Sequence, residues 1–143
     1  VYGERQIGTD NKRAAFNRMI WLAANGQPIN LYSNAPWRDY IHVDDVVTAL
    51  HRIALIGKPA KVYNVGTGNS ASIASMVSII KQFLPNTKVN IIEPPSFHRM
   101  VGMGNYKSDI SEMIRIGWFP VVTLEEGIKR VIDQYTTEAV NAK

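Results

Sequence analysis

Apolar residues recur along this chain at two periods, and the switches between them predict its elements. Phe16, Met19, Ile20 and Ala23 fall at i, i+3, i+4 and i+7, so residues 12–24 are expected to form an amphipathic helix. Asn25-Gly26 ends it, and Gln27-Pro28 forces an extended exit. Ile29 and Leu31 then alternate with polar neighbours, the period of a short strand over 29–32. Residues 33–36 (SNAP) are turn material. The run RDYIHV (38–43) reads as another strand, with Tyr40 and His42 on one face and Asp39, Ile41 and Val43 on the other.

Asp44 stands where a helix N-cap belongs, ahead of Val46, Ala49, Leu50 and Ile53 in helical register. That helix should stop near Gly57-Lys58-Pro59. KVYNVG (61–66) predicts a strand and GTGNS a turn feeding a third helix, whose stripe is Ile73, Met76, Val77, Ile80 and Leu84. KVNII (88–92) is a further strand, and Pro94-Pro95 opens an irregular stretch to about residue 107. Asp109 with Glu112, and Thr123 with Glu126, each fit a capping box. The helix after Thr123 should bury Leu124, Ile128, Val131, Ile132 and Tyr135, then fray into a polar tail from about residue 136. Strands alternating with helices predict an α/β fold in a single domain over residues 1–143.

Composition narrows the classes. Hydrophobic residues make up 45% and charged residues 20%, as in an ordinary globular protein. No apolar run approaches a membrane span, so no membrane association is expected. Cysteine is absent, which removes disulfides and thiolate metal sites and suits a reducing, cytoplasmic setting. The net charge of +4 is concentrated in residues 51–109, which hold seven basic and two acidic groups. These bases are scattered rather than clustered, which favours an anionic small ligand over a nucleic acid. The chain opens at Val1, and the sequence is expected to be a piece of a longer one.

His42, Asp44 and Asp45 carry donors suited to a divalent ion. A strand histidine and two aspartates opening a helix should diverge, so helix capping is preferred and no metal is expected. No serine sits in a G-x-S-x-G elbow, which leaves a nucleophilic triad without its centre. His51 falls within a helix as a surface group; His98, beside Arg99, could touch a ligand. NVGTGNS (64–70) resembles a phosphate loop but lacks both the Walker Gly-Lys-Ser/Thr and the third glycine of a dinucleotide fingerprint. It reads either as an anion cradle or as a tight strand-to-helix turn. Arg38 and Arg99 lie in separate turn-rich segments, and two guanidinium forks converging from such segments would suit a diphosphate. Either one alone could equally be a surface ion-pair partner.

Taken in order, VYGERQ, NGQPINLY, RDYIHVDDVVTAL, VYNVGTG, YKSDISEMIRIGWFP and TLEEGIKRVIDQY resemble the C-terminal half of NAD-dependent nucleotide-sugar epimerases and dehydratases, the extended short-chain dehydrogenase/reductases. The resemblance runs from Val1 to about Tyr135. It implies a substrate-binding portion without the NAD-binding Rossmann half, and a nucleoside-diphosphate sugar as ligand. By resemblance Arg38 and Arg99 grip the diphosphate, Asn30, Leu31 and Tyr32 border the nucleobase, and Tyr106 belongs to the same substrate loop.

Departures from the family pattern matter as much. SNAPWRD replaces the glycine-rich turn usual before the arginine, and Gly102 stands where an acidic residue is common. No tyrosine has a lysine four residues on, so the catalytic Tyr-x-x-x-Lys pair is absent, as is the NAD fingerprint. Hence no catalytic, cofactor-binding or metal residue is expected in this chain; NAD is implied only for full-length members, and the chain alone is expected to be inactive. A free-standing module that binds a nucleotide sugar or a protein is the alternative. In either case some apolar surface should be exposed, to be covered by a Rossmann half or by self-association.

Overall fold

The structure, a computed structural model, describes residues 1–6, 15–33, 35–94 and 104–141. Its elements are α1 (Ala15–Ala24), β1 (Ile29–Tyr32), α2 (Val43–Ile56), α3 (Ile73–Phe83), β2 (Val89–Ile92), α4 (Ser111–Arg115) and α5 (Leu124–Asn141). β1 and β2 pair in parallel, Ile29 opposite Val89 through Tyr32 opposite Ile92. Parallel neighbours require a crossover, and here it contains α2 and α3. The chain is α/β as expected, although α2 and α3, and α4 and α5, follow one another with no strand between them among the described residues.

Two apolar clusters organise the molecule. The larger joins Phe16, Ile20 and Ala23 of α1, Ile29 of β1, Met76, Val77 and Ile80 of α3, and Ile128, Val131, Ile132 and Tyr135 of α5, with Tyr2 among them. The predicted stripes of these helices are therefore the faces they bury. Gly26, at φ +67°, turns the chain out of α1. The smaller cluster joins Ile41, Ala49, Met113 and Trp118.

Several expectations are corrected. RDYIHV is extended but is not a continuous strand: it makes one antiparallel bridge, Arg38 to Ala71, and one parallel bridge, Tyr2 to His42. KVYNVG forms no ladder, because a strand needs a neighbour and the backbone groups of 62–65 find no backbone partner among the described residues. The cap of α2 is His42, whose Nδ1 accepts from the Asp44 N–H at 3.3 Å. Asp109 accepts from the Ser111 N–H two residues on, and Glu112 pairs with Arg115 and Lys61, so the first capping box does not form. At the second, the Glu126 N–H donates to Thr123 Oγ1 at 3.1 Å while the Glu126 carboxylate turns to Arg130. α5 continues to Asn141 rather than fraying near 136.

On α2, three of the four residues expected inside are inside: Ala49 is buried, and Val46 and Ile53 pack against the smaller cluster. Asp45, Thr48 and Arg52 face the smaller cluster's side, where they hold the segment after α4. Asp45 accepts from the Val121 and Val122 N–H groups, both at 3.0 Å; Thr48 Oγ1 accepts from Trp118 Nε1; Arg52 Nε donates to the Ile116 carbonyl. Val47 and Leu50 are 59% and 58% exposed, with Leu55 at 64%. Leu50, expected inside, lies outside.

Candidate functional site

Two of the sequence-predicted residues, Arg38 and Tyr106, lie at a junction built around the dipeptide Arg38-Asp39. Its backbone is held on one side by Ala71, through Arg38 N–H to the Ala71 carbonyl (3.0 Å) and Ala71 N–H to the Arg38 carbonyl (2.8 Å). On the other side lies 104–108: Trp37 N–H donates to Asn105 Oδ1 at 2.9 Å, and Tyr106 N–H to the Trp37 carbonyl at 3.0 Å. The Arg38 guanidinium donates through Nη1 to the carbonyls of Trp37 (3.0 Å) and Gly104 (2.5 Å). The backbone of Tyr106 is therefore held beside Arg38, through Trp37. No carboxylate among the described residues pairs with Arg38, so its charge is held by neutral acceptors only.

Adjacent side chains of an extended segment point to opposite faces, and Asp39 turns away from its neighbour's cation. Its carboxylate accepts from Thr67 N–H (2.9 Å), Thr67 Oγ1 (2.5 Å), Gly68 N–H (3.0 Å) and Ser108 N–H (3.2 Å). This decides the reading of NVGTGNS. The amides that could cradle a phosphate already hold an internal carboxylate, so the segment is a tight turn, with Gly68 at φ +70°. A Cβ on Gly66 would collide with Ser108 Oγ and approach Asp39 Oδ2 to 2.7 Å, which is why the crossing tolerates only glycine there. A turn with its amides so occupied does not fit the diphosphate of NAD either.

The β1 residues stand apart from this junction. Asn30 is exposed, with its Oδ1 accepting from Asn90 Nδ2 across the strand pair at 3.1 Å; Leu31 and Tyr32 are half-buried. Residues 33–37 lead from β1 to Arg38. Arg99, His98 and Gly102 lie outside the described residues.

His42 is fully buried, its Nε2 3.0 Å from Glu4 Oε2 and its Nδ1 3.6 Å from Asp44 Oδ2. Asp45 points away toward residues 121–122, so the three side chains do not share an ion, and no group of metal-binding side chains occurs among the described residues. Asp44 instead pairs with Arg130 at 3.1 Å. Beside the junction lies an open cleft of about 320 Å³ lined by Tyr40, Thr67, Ala71 and residues 120–124. Burial pushes the Tyr40 hydroxyl up from its ordinary value, the Arg38 charge pulling partly back. Burial, reinforced by Asp45 and Glu4, pushes Tyr2 up further. A general base at neutral pH needs the opposite shift. Sequence reasoning passed over Asp39, although a glycine turn with free amides two elements away needs an acceptor from somewhere.

Residues 1–66 match the NAD dependent epimerase/dehydratase family. A putative UDP-glucose 4-epimerase of Methanocaldococcus jannaschii is 31% identical over 136 residues, 93% of this chain and 42% of that protein. By these matches the chain is similar to the NAD dependent epimerase/dehydratase family, whose model covers its residues 1–66. Another relative, the dTDP-glucose 4,6-dehydratase of Salmonella typhimurium, is 26% identical, with 86% of this chain and 37% of that one covered. Among solved structures, a UDP-glucose 4-epimerase from Thermotoga maritima, crystallised with UDP-glucose, superposes with a TM-score of 0.82 at 22% identity, over 96% of this chain and 44% of that one. At that identity the likeness speaks for the α/β fold alone. The chain spans only about 20–42% of the length of the family members it matches in sequence. No helix among the described residues is long and apolar enough to cross a membrane.

Proposed function

We propose that this chain is the substrate-binding portion of a nucleotide-sugar epimerase or dehydratase, the C-terminal part that closes over a nucleoside-diphosphate sugar. The observation that carries the reading is Arg38, a cation seated on two neutral carbonyls beside Tyr106 with no carboxylate partner among the described residues. A guanidinium held in place yet uncompensated is suited to charge-assisted bonding of a phosphate oxygen. Arg99 is proposed as its partner, Tyr106 as a flank of the same loop, and Asn30, Leu31 and Tyr32 as the border of the nucleobase. Catalysis is assigned elsewhere in the parent enzyme: this sequence has no Tyr-x-x-x-Lys pair, and two of its buried tyrosines are held protonated. NAD is accordingly a cofactor of the longer protein, bound by a Rossmann half, and the setting is cytoplasmic.

The orientation of α2 supports a missing neighbour. Val43, Val47 and Leu50 (i, i+4, i+7) form a second apolar face turned outward, besides the inward one that packs Ala49, Val46 and Ile53 on the smaller cluster. A helix with an apolar face left to solvent is suited to a further packing partner. The alternative, a free-standing nucleotide-sugar or protein-binding module, predicts the same Arg38 chemistry without a Rossmann half.

Calorimetric titration of the 143-residue chain with UDP-, dTDP- and GDP-sugars tests the reading. One of them is expected to bind, and Arg38→Ala to weaken it by about tenfold or more. Equal binding by wild type and Arg38→Ala removes the diphosphate assignment. NAD-dependent turnover by the purified chain removes the claim that it is inactive alone.

A further inference from the structure

We propose that Asp39 is a positioning residue for the anion grip of Arg38: an internal counter-anion that locks together the two segments bracketing the arginine. The proposal rests on the reading of Arg38 as a diphosphate-binding residue and assigns a role to its neighbour. Three backbone amides and one hydroxyl converge on a single carboxylate, two amides and the hydroxyl from the 67–68 turn and one amide from Ser108. Amides converging in this way make an anion-binding concavity. Asp39 fills it from within.

Two consequences follow for Arg38. The first concerns charge. The neighbouring carboxylate is neutralised by amides on the opposite face, so it does not pair with the guanidinium, and the cation stays available to a ligand. The second concerns order. The carbonyl of Gly104 that seats Arg38 Nη1 belongs to a segment fixed at its far end by the Ser108 N–H bond to Asp39. Ser108 Oγ also donates to Tyr106 OH at 3.3 Å, so the same anchor reaches the tyrosine. Releasing Ser108 leaves the Gly104–Ser108 segment held only by the Trp37 bonds to Asn105 and Tyr106, and more of the arginine's ordering is then left to ligand binding rather than done beforehand. Such prior ordering is what raises affinity without adding a contact.

The test separates the phosphate grip from general integrity. The 143-residue chain is titrated with three nucleoside and nucleoside-diphosphate pairs: uridine and UDP, thymidine and dTDP, guanosine and GDP. The affinity ratio within a pair is the gain due to the diphosphate. Wild type should show this gain with at least one pair, and Arg38→Ala should lose it. Asp39→Asn keeps the shape but puts an amide donor against amide donors; the gain is expected to fall about tenfold, with nucleoside affinity unchanged within twofold. Hydrogen exchange at Thr67, Gly68 and Ser108 should accelerate together in this variant. If Asp39→Asn keeps the wild-type gain, or if nucleoside and diphosphate weaken by the same factor, Asp39 does not position Arg38 and the proposal fails while the reading of Arg38 stands. If wild type shows no gain, or Arg38→Ala retains it, that reading fails and the proposal with it. Should Asp39→Asn not fold, Thr67→Val decides: it removes the hydroxyl donor to Asp39, together with the acceptor of the Asn69 N–H, and keeps the three amides; a smaller loss of the diphosphate gain is expected, with no loss overturning the proposal.

Discussion

Asp45 gives the sharpest test of how α2 is held. Its side chain is 1% exposed, and its two oxygens accept separately from the amides of Val121 and Val122, each at 3.0 Å. Replacing it by asparagine keeps the volume, leaves one oxygen able to accept, and turns an NH₂ group toward the other amide. A hydrogen bond to a charged acceptor contributes about 1.5–3 kcal/mol, and a buried donor left without a partner costs about 1–3 kcal/mol. These effects overlap on the same two amides, so Asp45→Asn should destabilise by roughly 2–4 kcal/mol. For a chain of this length each kcal/mol moves Tm by roughly 2–4 °C, giving a fall of about 5–15 °C. Asp44→Asn is the matched control. Its side chain is 61% exposed and pairs with Arg130 at the surface, where such a pair contributes at most about 1 kcal/mol. Thermal unfolding followed by circular dichroism reads both variants. A Tm for Asp45→Asn within about 2 °C of wild type, or equal losses in the two variants, would refute the argument that Asp45 latches residues 121–122 to α2.

Other expectations follow from single contacts. Gly127→Ala gains up to about 1 kcal/mol of helix propensity, but its Cβ would strike the Tyr2 hydroxyl and come within 2.7 Å of Tyr2 Cζ. Tyr2 is buried against Phe16 and His42 and cannot swing aside, so the overpacking cost of about 1–3 kcal/mol wins; an unchanged or raised Tm in urea or heat would contradict this. Tyr2 and Tyr40 have folded-state values raised above those of the unfolded chain. Their contribution is therefore complete below about pH 10 and is lost as pH rises above it. Ultraviolet titration should show fewer than the full six tyrosines ionising before circular dichroism reports unfolding, and ionisation of all six near pH 10 in a folded chain would count against the burial argument. Leu50→Glu should leave stability within about 0.5 kcal/mol, since the side chain is 58% exposed. If α2's outward face drives self-association, sedimentation at high concentration will show that association weakened in this variant.

The helices that pack in the larger cluster were legible because their apolar residues carry their own period. Phe16, Ile20 and Ala23, or Ile128, Val131 and Ile132, need no knowledge of distant chain to be placed on one face. The misread segments are those whose state depends on a partner far away in sequence. RDYIHV and KVYNVG have strand alternation, but a ladder is made by two chains and their sequences describe one. Leu50 was misplaced for a related reason: an apolar residue on a helix marks a buried face only when the cover is present. At the site, Arg38 and Tyr106 were named by resemblance, whereas Asp39 was missed because its partners, Thr67, Gly68 and Ser108, lie 28, 29 and 69 residues on. The caps expected at Asp44 and Asp109 missed by two residues and one, the usual scale for helix ends, whereas Thr123 accepts the Glu126 N–H as a cap should.

Residues 62–65 and the outer face of α2 make different demands on whatever covers them, and this distinguishes the two candidates for that cover. The backbone groups of 62–65 lack backbone partners among the described residues, and only a neighbouring strand can satisfy them in series. The α2 face, with Val47 and Leu50 exposed, needs only apolar area. A second copy docking helix to helix would cover α2 and leave 62–65 open. A Rossmann half, with its parallel sheet, could meet both demands at once. Hydrogen exchange on the 143-residue chain separates the cases. If the Rossmann half is the natural cover, the amides of Val62, Tyr63, Asn64 and Val65 should exchange at near-unprotected rates at every protein concentration, even where association slows exchange around α2. Protection at 62–65 that rises with concentration would mean that copies of the chain pair through this edge, and self-association would then be the cover the molecule uses.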